Sequence, residues 1–166
     1  MQQRVLIVES RYYEDIIDEL YLGIQNVLET NNVYIERLSV PGAFEIPAAI
    51  SMVDKARRLG HLPYDHPFDG YIALGCVLRG ETTHYETICQ ESARALQDIA
   101  TNNQLAIANG ILTCESKEQA WARASREDKN KGAEFANACL AMISLKRYLR
   151  FQDIQLDQED KTIYNV

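Results

Sequence analysis

The 166 residues match the ordinary size of one globular domain and leave no room for two. With 46% hydrophobic and 25% charged residues the chain has the composition of a compact soluble protein, which excludes disordered, collagen-like and coiled-coil classes. Lys plus Arg number 17 against 24 for Asp plus Glu, and the formal charge of -7 makes nucleic acid and anionic lipid poor partners.

Apolar periodicity predicts strand and helix in alternation. Residues 4–8, Arg-Val-Leu-Ile-Val, form the continuous run of a strand buried on both faces. Residues 13–30 carry Ile16, Ile17, Leu20, Ile24, Val27 and Leu28, a helical stripe that stops at Asn31-Asn32. A second strand is expected over 33–40. After Pro41-Gly42 a helix is expected over 44–59, with Pro47 tolerable only in its opening turn. Residues 60–69, holding two prolines together with His61 and His66, read as a solvated connection. A third strand is predicted over 70–78 and a long helix over 82–101. The fourth strand, 105–112, carries Asn109-Gly110, which reads as an interruption. A short helix over 116–124 has Ser116 as its natural N-cap, and a last helix spans 131–151. Residues 1–151 thus make one domain, and 152–166 a polar, loosely held tail.

Such alternation predicts a parallel sheet covered on both faces by helices. No apolar run approaches the ~20 residues needed to span a bilayer, and the first residues open into a strand pattern rather than an export signal, so a cytoplasmic protein is expected. The cysteines Cys76, Cys89, Cys114 and Cys139 show neither C-x-x-C pairing nor zinc-finger spacing. They read as structural filler, with no disulfide and no metal site.

In open parallel sheets, ligands bind beyond the carboxyl ends of the strands. That rule selects four loops, over 9–13, 41–45, 79–84 and 113–115. The third, Arg79-Gly80-Glu81-Thr82-Thr83-His84, puts a glycine, hydroxyls and a histidine at a helix start, where free backbone N–H groups favour an anion. His84 there could carry protons near neutral pH. Equally, Thr82 or Thr83 could be a plain N-cap and His84 a first-turn residue. Phe44 and Glu45 could present a ring face and a carboxylate to a planar heterocycle, or form a turn with a hydrophobic plug. Tyr12 could supply a second aromatic wall or lie on a rim. Arg123, Arg126, Lys129 and Lys131 form a basic knot that reads as a phosphate contact or as a solvated turn. Neither a P-loop nor a G-x-G-x-x-G fingerprint occurs.

Three separated motifs, Val40-Pro41-Gly42-Ala43-Phe44-Glu45-Ile46-Pro47, Gly75-Cys76-Val77-Leu78-Arg79-Gly80-Glu81-Thr82-Thr83-His84 and Asn130-Lys131-Gly132 with Arg123 eight positions before the lysine, resemble the lumazine synthase family of riboflavin biosynthesis. The resemblance runs from the first strand to about Arg150. It implies a flavodoxin-like three-layer αβα sandwich around a four-stranded parallel sheet. It also implies condensation of 5-amino-6-(D-ribitylamino)uracil with 3,4-dihydroxy-2-butanone 4-phosphate to 6,7-dimethyl-8-ribityllumazine, without metal or cofactor. By analogy Tyr12 stacks on the pyrimidine, Ala43, Phe44 and Glu45 line the ribityl side, and Cys76, Val77 and Leu78 meet the ring edge. Glu81 and Thr82 match positions that hold the phosphate, and His84 matches the proton donor. Asn109, Arg123 and Lys131 match residues that a neighbouring subunit contributes, Arg123 reaching the phosphate. The family forms homopentamers that stay single, pair or build a sixty-subunit shell.

The sequence departs from the family at Tyr12, where Phe or Trp is common, at Asn109, where many members carry Phe, and at Glu81, where some have a small residue. The alternative is a non-catalytic flavin- or lumazine-binding scaffold of the same fold. A response regulator or flavodoxin is disfavoured, because the loop Glu9-Ser10-Arg11-Tyr12 has neither an acidic cluster nor a Ser/Thr-rich phosphate loop.

Overall fold

Alternation along the first strand decides the layers. In β1 (Arg4–Ser10), Val5 and Ile7 point into one buried cluster and Leu6 and Val8 into another, so both faces of the sheet carry a core. The computed structural model describes residues 2–61 and 68–163, with side chains through Arg150. His66 therefore lies outside the described residues, whereas His61 is exposed just beyond the second helix.

The elements follow in the order β1, α1 (Glu14–Thr30), β2 (Tyr34–Val40), a 3-10 turn (Ala43–Glu45), α2 (Ile46–Arg58), β3 (Gly70–Leu78), α3 (His84–Asn103), β4 (Ile107–Cys114), α4 (Lys117–Ala124) and α5 (Lys131–Ile163). All pairings are parallel and the strands are ordered β2-β1-β3-β4. The chain is thus a three-layer α/β sandwich of flavodoxin-like order. On one face α1, α4 and α5 bury Ile16, Ile17, Leu20, Ile24, Ala120, Ala136, Cys139 and Ile143 against the odd-numbered side of β1. On the other, α2 and α3 bury Ile46, Ile50, Ile88 and Leu96. Each fully buried Ile or Leu contributes about 1.5–3 kcal/mol.

Local chemistry explains where the elements stop. Asn32, at φ 54, takes the left-handed conformation that ends α1, as Asn31-Asn32 predicts. Ser116 caps α4 by accepting the N–H of Gln119 at 3.3 Å.

Three expectations need correction. The helix expected from Phe44 starts at Ile46, with Ala43–Glu45 in a tighter turn, because Pro47 belongs to the first helical turn. Asn109-Gly110 does not interrupt β4; neither residue has a positive φ, and Gly110 is needed for space. A Cβ there would come within 2.8 Å of the Ala73 carbonyl and 2.9 Å of the Phe135 ring. The last helix runs past Phe151 to Ile163, since Gln, Asp, Glu, Leu and Lys continue a helix without Gly or Pro.

One helix crossing is unusually close. Gly23 of α1 and Gly132 of α5 meet back to back: a Cβ on Gly132 would lie 2.2 Å from the Leu20 carbonyl oxygen and 3.2 Å from the Gly23 Cα. No helix among the described residues is long and apolar enough to cross a membrane.

Candidate functional site

The strand order reverses between β1 and β3, and a crevice opens beyond the carboxyl ends of those two strands. A cleft of ≈ 510 Å³ occupies it, lined by Ser10, Tyr12, Tyr13, Pro41, Gly42, Ala43, Phe44, Glu45, Cys76, Val77, Leu78, His84, Thr87 and Ile88. Three segments far apart in sequence therefore converge, the β1–α1 loop, the turn after β2, and the β3–α3 connection.

Aromatic side chains form the rim. Tyr12 is 76% exposed and Phe44 50%, an arrangement that leaves ring faces free for a flat ligand. Tyr12 packs edge-on against Tyr13 with ring centroids 5.0 Å apart, which limits how far it can swing. Ala43 is buried at the floor of the turn, and Glu45 is exposed beside it. The Glu45 N–H donates to the Gly42 carbonyl at 3.2 Å, closing the turn that presents both side chains.

Below the rim, β1 ends on a buried carboxylate. Glu9 accepts from Arg37 (Nη2 to Oε2, 2.8 Å) and from the Ser39 hydroxyl at 3.3 Å, so it braces β1 against β2. Cys76 lies at the inner wall, where burial pushes its thiol up to about 12. It is protonated at neutral pH and serves as wall rather than nucleophile.

His84 is the first residue of α3 and is exposed. Its N–H donates to the Thr82 hydroxyl at 3.4 Å, while Thr83 occupies the N-cap position without a side-chain cap bond. Thr83 therefore leaves the first turn of α3 without a side-chain cap, a setting that favours an anion. Glu81 and Thr82 are exposed in the turn just before, beside the cleft lining rather than within it. Thr87 lines the cleft as well, one turn on from His84. Its spacing of three from the histidine was the available signal, and sequence reasoning passed it over. Ser10 and Tyr13 complete the wall next to Tyr12.

The remaining candidates lie elsewhere. Asn109 is exposed in the middle of edge strand β4, paired with Ala73, and its side-chain oxygen accepts the Ile111 N–H at 3.1 Å. Arg123 donates to the Gln119 carbonyl at 3.0 Å and has no carboxylate partner among the described residues. Lys131 opens α5 in an ion pair with Glu134. Arg126, by contrast, is taken up by Glu19, to which its N–H and its Nε both donate at 3.0 Å. Within this chain none of the three matched residues Asn109, Arg123 and Lys131 lines the cleft.

A second depression, ≈ 530 Å³, opens beside Trp121 between α1 and the turn after α4. Its charges are partly neutralised, as in the Asp15–Lys117 pair at 2.8 Å, and it holds none of the motif residues. The cleft at the sheet's switch point, which gathers the motif residues, is therefore the candidate site.

Comparison with known proteins points to one family. The model of the family described as 6,7-dimethyl-8-ribityllumazine synthase matches residues 2–147. A 6,7-dimethyl-8-ribityllumazine synthase of Bartonella bacilliformis is 50% identical over 149 residues, covering 90% of this chain and 92% of the relative. The protein of the same name from Agrobacterium fabrum is 49% identical over 146 residues, covering 87% and 95% respectively. One from Rhodopseudomonas palustris, 6,7-dimethyl-8-ribityllumazine synthase 1, is 48% identical over 147 residues, covering 88% and 87%.

Proposed function

We propose, because the chain belongs to the 6,7-dimethyl-8-ribityllumazine synthase family, that its cleft is the place where a ribitylaminopyrimidine meets a butanone phosphate. The protein is a transferase of riboflavin biosynthesis. It condenses 5-amino-6-(D-ribitylamino)uracil with 3,4-dihydroxy-2-butanone 4-phosphate to give 6,7-dimethyl-8-ribityllumazine, phosphate and water.

The observation that carries the site is the convergence of Tyr12, Ala43, Phe44, Glu45, Cys76, Val77, Leu78 and His84 on one cavity. The pyrimidine stacks on Tyr12, its ribityl chain runs along Ala43, Phe44 and Glu45, and its ring edge meets the main chain of Cys76, Val77 and Leu78. The phosphate sits on the N–H groups of Glu81 and Thr82 at the start of α3, where the helix dipole favours an anion. His84, beside it, moves protons during imine formation, phosphate loss and ring closure. Both reactants are intrinsically reactive, so much of the acceleration comes from holding them together.

Arg123, Asn109 and Lys131 act from a neighbouring copy. Their position outside the cleft of their own chain supports this reading, as does the open charge of Arg123. The unit of activity is then a homo-oligomer, a pentameric ring at the least, working in the cytoplasm.

Ultraviolet detection of lumazine formation tests the proposal, with light scattering to read the assembly. His84→Ala slows turnover by about 100-fold, the low end of what a positioned acid–base group contributes, without abolishing it. Arg123→Met removes a charge-assisted contact worth about 1.5–3 kcal/mol and raises KM for the phosphate substrate by about 10-fold or more. An unchanged KM, or an active monomer, refutes the shared cavity.

A further inference from the structure

The α3 start that carries His84 is poorly fastened by its own residues. Its N-cap lacks a side-chain bond, the loop 79–83 is exposed, and the Thr87 hydroxyl reaches the Thr83 carbonyl only at 3.4 Å. One side chain grips this turn from outside. The Arg79 guanidinium donates to Glu86 of α3 and, through Nε, to Glu115 of the β4–α4 loop at 2.6 Å. It also lies over the Tyr85 ring, 4.3 Å from the centroid. The Arg79 N–H donates to the Cys114 carbonyl at 3.0 Å, tying the main chain to the same junction. Glu86 relies on this contact, because its other oxygen, Oε2, is shielded and takes no hydrogen bond. Arg79 itself does not line the cleft.

We infer that Arg79 is a positioning residue, which docks the first turn of α3 onto the β4–α4 loop and so holds the His84 imidazole at a fixed distance from the phosphate-binding turn. The inference rests on the function proposed above. Tyr85 and Glu86 directly follow His84 in the chain, so a grip on both leaves the histidine backbone little freedom. A planar guanidinium that forks to two carboxylates and stacks on a ring is suited to this, and a lysine is not.

The test is a double-mutant cycle with Arg79→Met and His84→Ala in the full-length oligomer, read by lumazine formation. Arg79→Met alone lowers kcat by about 10-fold, within the ~100-fold that a misplacement of about 1 Å costs, and leaves KM for the butanone phosphate within about twofold. In the His84→Ala background the same change costs less than about twofold, since there is no imidazole left to misplace. Equal losses in both backgrounds overturn the inference. A KM increase that persists without His84 overturns it too, because it assigns Arg79 to the phosphate directly. Amide hydrogen exchange over 87–90, the first N–H groups of α3 that are bonded within the helix, gives a readout independent of turnover. It accelerates by about 10-fold in Arg79→Met, and unchanged exchange refutes the clamp. Should the wild-type protein form no lumazine, the assigned reaction fails, and the exchange data alone decide the clamp. Glu115→Gln, which takes away one anchor and leaves Arg79 in place, carries the same cycle if Arg79→Met does not fold.

Discussion

Replacing Gly132 by alanine puts a methyl group where α1 already is. The added Cβ falls 2.2 Å from the Leu20 carbonyl oxygen and 3.1 Å from its carbon, both main-chain atoms that no rotamer change can move. A relaxed C···O contact needs about 3.3 Å, so the helices must part by about 1 Å. A gap of that size forfeits up to about half of each dispersion contact along the crossing. Overpacking of this kind costs about 1–3 kcal/mol, and the clash with main chain puts Gly132→Ala near the upper figure. Helix propensity returns at most about 1 kcal/mol. The net loss of about 2 kcal/mol lowers Tm by about 4–8 °C. Gly23→Ala faces the same crossing but meets first the end of the Asn130 side chain, at 2.5 Å, which can swing aside. Gly80→Ala meets nothing within 4 Å. Thermal unfolding followed by circular dichroism should therefore rank the losses as Gly132→Ala, then Gly23→Ala, with Gly80→Ala neutral or stabilising by up to about 1 kcal/mol. A Gly132→Ala protein as stable as wild type would refute the close-crossing argument.

Two further outcomes follow from the electrostatics. Hydrogen bonds from the Arg126 side chain, and then from its N–H, hold the Glu19 carboxyl below the ordinary carboxylate range. The folded state then binds fewer protons than the unfolded chain. The stabilisation, about 0.5–1 kcal/mol for a pair of this kind, is complete above the unfolded value near 4.5 and is lost as pH falls through the folded one. Glu19→Gln flattens the acid limb of a Tm–pH curve, and a parallel curve counts against the linkage. Burial pushes all four thiols up, Cys76 and Cys139 to about 12, but only Cys89 is partly exposed to reagent. Maleimide labelling of the native protein at pH 8, read by mass spectrometry, should therefore modify Cys89 first and the other three only on unfolding. Rapid modification of Cys76 would show a wall far more open than described.

Much of this molecule can be read from residue order, and the misses have physical causes. β3 spans the predicted 70–78 because a strand buried on both faces is a continuous apolar run with glycine before it. Ser116 signals the start of α4 through capping chemistry that needs no tertiary context. Asn109-Gly110 misled, because the same dipeptide that makes a hairpin at positive φ also supplies the missing Cβ an approaching helix requires. The cleft residues of the 41–45 and 79–84 loops follow from the rule that ligands sit beyond strand ends. Thr87 follows only when helical spacing from His84 is drawn. The clamp formed by Arg79 escaped altogether, since Glu115 lies 36 residues away and no local pattern links the two. The neighbouring-copy roles proposed for Asn109, Arg123 and Lys131 came through family likeness, because nothing along one chain tells what a second copy brings; the basic knot at 123–131 offered only a phosphate contact or a solvated turn.

A cleft completed by Arg123 of a second copy, as proposed, predicts rescue in trans. Under the proposed shared cavity, each reaction chamber draws its imidazole from one polypeptide and its guanidinium from the next. Blending chains crippled at position 84 with chains crippled at position 123 then regenerates about one intact chamber in four, by random assortment around the ring. Two defective preparations, denatured together and reassembled, become more active than either parent.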